Sequence, residues 1–510
     1  MKRVLLFLIV IALLIPFAGC GKKKPVTPND TTGSSQSNGE KPKYDENGFE
    51  TDDLNDDQLK KEFSDVDEIK ILHWTEHQIG EFNPDKDSKD TIDKSIIQRD
   101  QKVSDRLGGV SFKWIGEKGH WSAMNSFINK ATTAYYGGEE DRYDLIGVYS
   151  QTAAALAPKG LVLNLLDEDS KSYLNLSKPW WPDSLLENSM VADKLWFVSG
   201  DICTSFTSEL INVMFNKAFF EDNENGGNPL YELVDNGDWT IETMMELSKD
   251  LYWDQDEDGK KSNGDRYGIV IPWYVYVDSF FYGSNLIMVE NDEHHNLSVS
   301  SSYVGEKADN LTEKLKTIFH TSDYGYLTQE GQAVNRIFAR DDAAFLVAPP
   351  VMMLTTPDFS DRLELRYGIL PMPKYDSSQK EYKSVHSNFL SLFSIFAGCN
   401  KEQANRESAV LECLASEGFR TISPVIFEKC LKLKYANDSD TGRMYDLIRA
   451  GAVFDTGRIF ASAGLDGITQ DKWQLCVINN KIWGAISANV DAQLQELLDA
   501  MTENFRNMEQ

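Results

Sequence analysis

What most constrains this chain is an alternation of strand and helix signals that begins at Glu68. Glu68 to Trp74, EIKILHW, reads as a buried strand. Ile92, Ile96, Val103 and Leu107 then recur at helical spacing, and Gly108-Gly109 closes that helix. A strand at Val110 to Trp114, a helix from about Ser122 to Tyr135 and a strand at Tyr143 to Val148 follow. Strands alternating with helices imply an α/β unit with a largely parallel sheet, whose ligands meet the carboxyl ends of the strands. The residues just past those ends are candidate contacts: Trp74 and Glu76 after the first strand, Tyr149 and Ser150 after the third.

The N-terminus carries a separate signal. Lys2 and Arg3 precede an apolar run, Val4 to Ile15, that is too short for a membrane span and fits a signal peptide over residues 1–20. Phe17-Ala18-Gly19-Cys20 resembles the lipobox of bacterial lipoproteins, with Phe17 where Leu is usual; the resemblance implies that Cys20 is acylated. An ordinary secretory signal with an incidental cysteine is the alternative. Residues 21–65 are Lys, Ser, Thr, Asn, Pro and acids without apolar periodicity, which predicts a disordered tether lifting the body off a membrane. Cys203, Cys399, Cys413, Cys430 and Cys476 lack paired spacing and predict mostly free, buried thiols. A net charge of −29 leaves no basic surplus to neutralise phosphates, which argues against a nucleic-acid partner.

Between a helix capped by Thr240 and a strand at Tyr267 to Ile271 lies DQDEDGKKSNGD. Asp254, Asp256, Asp258, Gly259 and Asp265 occupy positions 1, 3, 5, 6 and 12 of an EF-hand-type loop, with Lys260 at the position that offers a backbone carbonyl. Calcium needs six to eight oxygens, and alternate residues of a turn converge on one point. The expectation is a structural calcium site; a solvated acidic loop is the alternative. His73-Trp-Thr-Glu76-His77 also fits H-x-x-E-H, an inverted zinc-peptidase pattern, but that chemistry needs both histidines on one helix face and His73 ends a strand.

Several blocks in order carry a family resemblance: YLNLSKPWW (173–181), DKLWFVSGDICTSFTSELINVMFNKAFF (193–220), NPLYELVDNGDWTIETMMELSKDLY with the acidic loop and DRYGI, DDAAFLVAPPVMM (341–353), YGILPMPKYD (367–376) and VFDTGRIFAS (453–462). Together they resemble the extracellular solute-binding proteins, family 1, of bacterial ABC importers. The resemblance implies a two-lobed α/β fold, periplasmic-binding-protein-like (type II), closing over a solute. Lobe 1 would hold 66–200 and 369–437, lobe 2 201–368 and 438–510, with crossings near Gly200-Asp201 and Tyr367 to Pro373. The implied partners are a carbohydrate, the permease subunits of the transporter and the membrane, at the extracellular face of a bacterial cell.

A sugar offers a rim of hydroxyls and a weakly polar C–H face, so its receptors pair acids and amides with stacked rings. With topology as the guide, Asp201 at the crossing, Trp273, Tyr276 and Asp278 after the Tyr267 strand, and an apolar wall at Met352 join Trp74, Glu76, Tyr149 and Ser150 as candidates. No nucleophile elbow or phosphate loop is present, and the expectation is a binding protein without catalysis. A secreted glycoside hydrolase and a carbohydrate-sensing lipoprotein are the alternatives.

Overall fold

The computed structural model describes residues 43–138, 140–220, 228–361, 365–428 and 439–508. The signal peptide, Cys20, residues 21–42 of the proposed tether and Cys430 lie outside them. Thirteen strands follow in chain order: β1 Glu68–Trp74, β2 Ser111–Glu117, β3 Leu145–Tyr149, β4 Asn212–Asn216, β5 Tyr267–Ile271, β6 Val289–Asn291, β7 Leu297–Val299, β8 Gly325–Leu327, β9 Ala343–Ala348, β10 Tyr367–Leu370, β11 Ser384–Val385, β12 Ser391–Ile395 and β13 Ala452–Val453. One sheet has the order β12-β3-β1-β2, with β1 parallel to both neighbours and β12 antiparallel to β3. The other has the order β10-β4-β9-β5-β8, parallel across β9-β5-β8 and antiparallel across β10-β4-β9. β12 runs against the rest of the first sheet and β4 against the rest of the second, so both are mixed rather than purely parallel.

The chain passes between the sheets along paired segments. After β3, residues 199–211 lead to β4, and after β10, residues 384–390 lead back to β12. The two passages run side by side: Ile211 N–H donates to Val385 O at 3.0 Å and Ser387 N–H to Glu209 O at 2.8 Å. β13 pairs with β11 in parallel there, so a third passage joins them. The return therefore lies beyond Tyr367 to Pro373. Pro371 and Pro373 do end the β10 ladder, but Trp239 Nε1 donates to Pro371 O and Lys374 N–H to Trp239 O, which keeps this stretch on the second sheet's side.

Residues 43–65 correct the tether. Asp56–Glu62 is a helix capped by Asn55, and Leu59 and Phe63 are buried. Upstream, Asp52 is 1% exposed and receives both Arg106 Nη1 (2.8 Å) and Nη2 (2.7 Å), while Lys178 reaches Asp53 and Glu50. A low-hydrophobicity segment is thus docked by ion pairs and by three buried apolar side chains, Leu54, Leu59 and Phe63. The Thr91–Arg106 helix and the long Lys401–Phe427 helix, opened by an Asn400–Gln403 capping box, pack on each other beside the first sheet. The Ser439–Ala450 helix packs on β10, and the C-terminal Ser487–Asn507 helix lies on β7 while Phe505 stacks on Trp196. Among the described residues no helix is long and apolar enough to cross a membrane.

Candidate functional site

A cleft of about 770 Å³ opens where the carboxyl ends of six parallel strands converge, three from each sheet. Gln78 follows β1, His120 and Trp121 follow β2, and Tyr149 ends β3; Trp273 to Tyr276 follow β5, Gln329 follows β8 and Met352 follows β9. The passage between sheets adds Ser387, Asn388 and Phe389. The Gln470–Ile478 helix supplies the remaining wall. Its Asp471, Gln474, Leu475 and Ile478 recur at i, i+3, i+4 and i+7 and face the cleft, while Trp473, Cys476 and Val477 are buried behind.

Two tryptophans stand apart from the packed rings. Trp121 is 64% exposed and Trp273 39% exposed, so each has apolar ring surface free for a solute. Each depends on a glycine. A Cβ on Gly119 would sit 2.8 Å from Trp74 Cβ and 2.7 Å from Val148 Cγ2, so only glycine lets the turn that presents His120 and Trp121 pack this closely. A Cβ on Gly331 would come 2.1 Å from Trp273 Cζ2, so the indole lies flat against that backbone. His120 stacks on Phe389 with centroids 5.1 Å apart and meets Tyr149 edge-on.

Among the described residues the lining contains no lysine or arginine, and Asp471 is its one carboxylate. Burial raises the Asp471 carboxyl and lowers the His120 imidazole, with Glu76 opposing the latter shift. Behind Ser387, burial pushes Glu209 up to about 8, with Glu81 adding to the rise. The walls are therefore apolar rings and neutral amides in the main.

No family model matches the chain, and no curated protein matches it in sequence. Solved structures do match. The sugar-binding protein MalE from Xanthomonas citri is 12% identical, with 87% of this chain and 100% of that one covered at a TM-score of 0.55. UgpB from Mycobacterium tuberculosis, solved with glycerophosphocholine, is 16% identical over 86% and 99% of the two chains at 0.54. A cyclo/maltodextrin-binding protein complexed with maltotetraose is 12% identical over 87% and 99% at 0.50. The chain has the two-lobed fold of the extracellular solute-binding proteins.

Within that solute-binding fold, Tyr149, Trp273, Tyr276 and Met352 line the cleft. The other five candidates stand behind the lining. Trp74 is fully buried, gives its Nε1–H to Ser391 Oγ at 2.7 Å and supports the Tyr149 and Phe389 rings. Glu76 Oε2 accepts the backbone N–H of Gly119 and of His120, both at 2.8 Å, and so holds the turn that carries Trp121. Ser150 Oγ donates to Asn388 O, Asp201 is buried against Arg449, and Asp278 is buried against Arg458 and Gln474. Gln78, His120, Trp121, Phe389, Asn388, Asp471 and Gln474 are among the lining residues that sequence reasoning passed over. Trp121 was accessible to the same strand-end rule, since it follows β2 as Tyr149 follows β3.

In the acidic loop, carboxylate oxygens of Asp254, Asp256 and Asp265 all lie within 4.8 Å of one another. Backbone pairing of Trp253 with Arg266 closes the loop, and Gly259 takes φ +72° at the sharp turn. Asp265 is fully buried, whereas Asp254 Oδ1 is buried without a hydrogen-bond donor. Asp258 stands outside the group of three, its Oδ1 accepting Lys260 N–H at 2.7 Å. The H-x-x-E-H residues form no helical zinc site: His73 lies in β1 with its Nδ1 2.8 Å from Trp74 O, and Glu76 is committed to backbone amides.

Proposed function

We propose that this chain is the solute-binding subunit of an ABC importer and captures a carbohydrate, with an oligosaccharide as the preferred solute. The observation that carries the reading is the cleft itself: two exposed tryptophans on opposite walls, five neutral polar side chains and, among the described residues, no lysine or arginine. Rings stack on the C–H face of a sugar and amides meet its hydroxyls, while a cleft without cations gives nothing to an anionic solute. Solved relatives of the same fold include proteins described as sugar-binding and as complexed with maltotetraose, which supports this class. Closure would follow from a solute that contacts both walls and so favours the closed state.

A glycosidase requires two carboxylates across the scissile bond, and Asp471 is the one carboxylate in the lining, which supports binding over hydrolysis. Titration calorimetry against a series from maltose to maltoheptaose, with chromatography of the recovered sugar, tests both points. Binding with intact sugar is expected; shortened products would overturn the reading. Anchoring through an acylated Cys20 belongs to the same proposal, and Cys20→Ser should move the protein from the membrane fraction to the medium. So does a structural calcium ion held by Asp254, Asp256 and Asp265, for which Asp254 Oδ1, buried and lacking a donor, is the supporting observation.

A further inference from the structure

Asp278 cannot meet a solute, being fully buried at the start of the Asp278–Gly283 helix. Its neighbours nevertheless reach the cleft. Gln474 Nε2 donates to Asp278 Oδ2 at 2.7 Å, and Gln474 lines the cleft. Gln470 approaches the same carboxyl, and its Oε1 accepts from Nδ2 of Asn388, a second lining residue, at 3.3 Å. Arg458 Nη1 forms an ion pair with the same Oδ2 of Asp278.

An ionised carboxylate accepts and never donates. Burial raises the Asp278 carboxyl, while the Arg458 guanidinium paired with its Oδ2 and the two glutamines favour the ionised form. An amide facing it must present its NH2 and turn its carbonyl oxygen the other way. For Gln474 the other way is the cleft. The same order passes through Gln470: NH2 toward Asp278, oxygen toward Asn388, and hence the Asn388 oxygen away from Gln470.

We infer that Asp278 is a positioning residue that sets the hydrogen-bond polarity of this wall, turning the carbonyl oxygens of Gln474 and Asn388 to the solute so that the wall selects for hydrogen-bond donors. The inference builds on the binding role of the cleft, and its first test needs no solute. In protein labelled with 15N-glutamine, the Gln474 side-chain NH2 pair is assigned by its loss in Gln474→Glu. It should exchange with solvent roughly tenfold or more slowly than exposed glutamines, and Asp278→Asn should shift it and release it to fast exchange. Exchange at the exposed rate in the wild type would overturn the inference, even if Asp278→Asn fails to fold.

The second test compares maltotriose with deoxyfluoro analogues, in which fluorine replaces a donor with a group that cannot donate. At least one analogue should bind the wild type roughly 3- to 10-fold more weakly than the parent sugar. That penalty should shrink in Asp278→Asn and return in Asp278→Asn/Gln474→Glu, where the new amide donates and residue 474 again offers an acceptor. Equal penalties in all three proteins would overturn the polarity role. Failure of maltotriose to bind would count against the carbohydrate reading, and the exchange measurement would still decide the role of Asp278.

Discussion

Arg449 forks onto both carboxylate oxygens of Asp201, with Nη1 2.9 Å from Oδ1, and Ser423 Oγ donates to the same carboxylate. Asp201 lies in the first passage between sheets, Ser423 in the Lys401–Phe427 helix beside the first sheet, and Arg449 in the helix that packs on β10 of the second. The guanidinium also lies 5.0 Å above Phe206 and 5.8 Å from Phe419. Asp201→Ala would leave this half-buried cation among rings without its carboxylate partner. The expected loss is about 3 kcal/mol, the low end for breaking a buried pair because Arg449 is partly exposed. Urea unfolding would measure it, and adding Arg449→Ala should recover part of the loss, because it removes the stranded charge.

Gly331 controls Trp273 without touching solute. Its Cα opens the Gly331–Ala339 helix directly under the indole, so a methyl group there must push the ring out of place. Alanine is the better helix former by about 1 kcal/mol, which offsets part of the steric cost to stability. Gly331→Ala should therefore weaken solute binding by about tenfold with a small change in melting temperature, as expected for displacing a central aromatic contact. An unchanged affinity would show that Trp273 stacks on no solute.

Part of this was legible in the residues. β1, the Thr91–Arg106 helix and the Thr240 cap are local apolar patterns and cap chemistry, and the strand-end rule led to Tyr149 and Trp273. Trp74 shows where that rule stops. Ile71 to Trp74 are buried on both faces of the sheet, so alternation cannot tell which side chain points to a cleft and which into the core. Glu76 and Asp278 illustrate a different limit, since an acid near a cleft can serve backbone amides or an arginine that only the fold brings close. Asp471 and Gln474 come from a helix about two hundred residues after β5, and no local pattern announces that meeting. The docked 43–65 segment escaped because composition reports how little apolar surface it has, while Asp52 finds Arg106 only in three dimensions.

Glu209 should make stability depend on pH. Burial and the nearby Glu81 raise its carboxyl from 4.5 to about 8, against the Ser387 hydrogen bond. The folded state thus holds this proton more tightly than the unfolded chain does. Its contribution to stability is fully present below about pH 4.5 and is lost as pH rises through about 8. Melting temperature should fall between about pH 5 and 8, and Glu209→Gln should flatten that fall. Glu412, also raised to about 8 by burial, contributes with the same sign, so a residual slope should remain. An identical profile for wild type and Glu209→Gln would place the proton elsewhere.

The acidic loop makes its own prediction, and the choice of substitution matters. Asp265 already accepts Gln255 N–H at 3.1 Å, Ser262 N–H at 2.8 Å and Tyr267 OH at 3.1 Å. Removing it would unmake the loop whether or not an ion binds. Asp254 and Asp256 carry less of the loop's own bonding, accepting Gly259 N–H at 2.9 Å and Ser262 Oγ at 3.1 Å from within it. A ligand that binds only the folded state stabilises it by about 2.7 kcal/mol at a hundredfold excess over its Kd. Calcium added to chelator-stripped protein should accordingly raise the melting temperature by a few degrees. Magnesium should do so less, because it demands near-ideal octahedral geometry from a loop that supplies clustered aspartates. Asp254→Ala/Asp256→Ala should fold and lose the calcium response; a wild type stripped of metal that ignores calcium would reduce the cluster to a solvated turn.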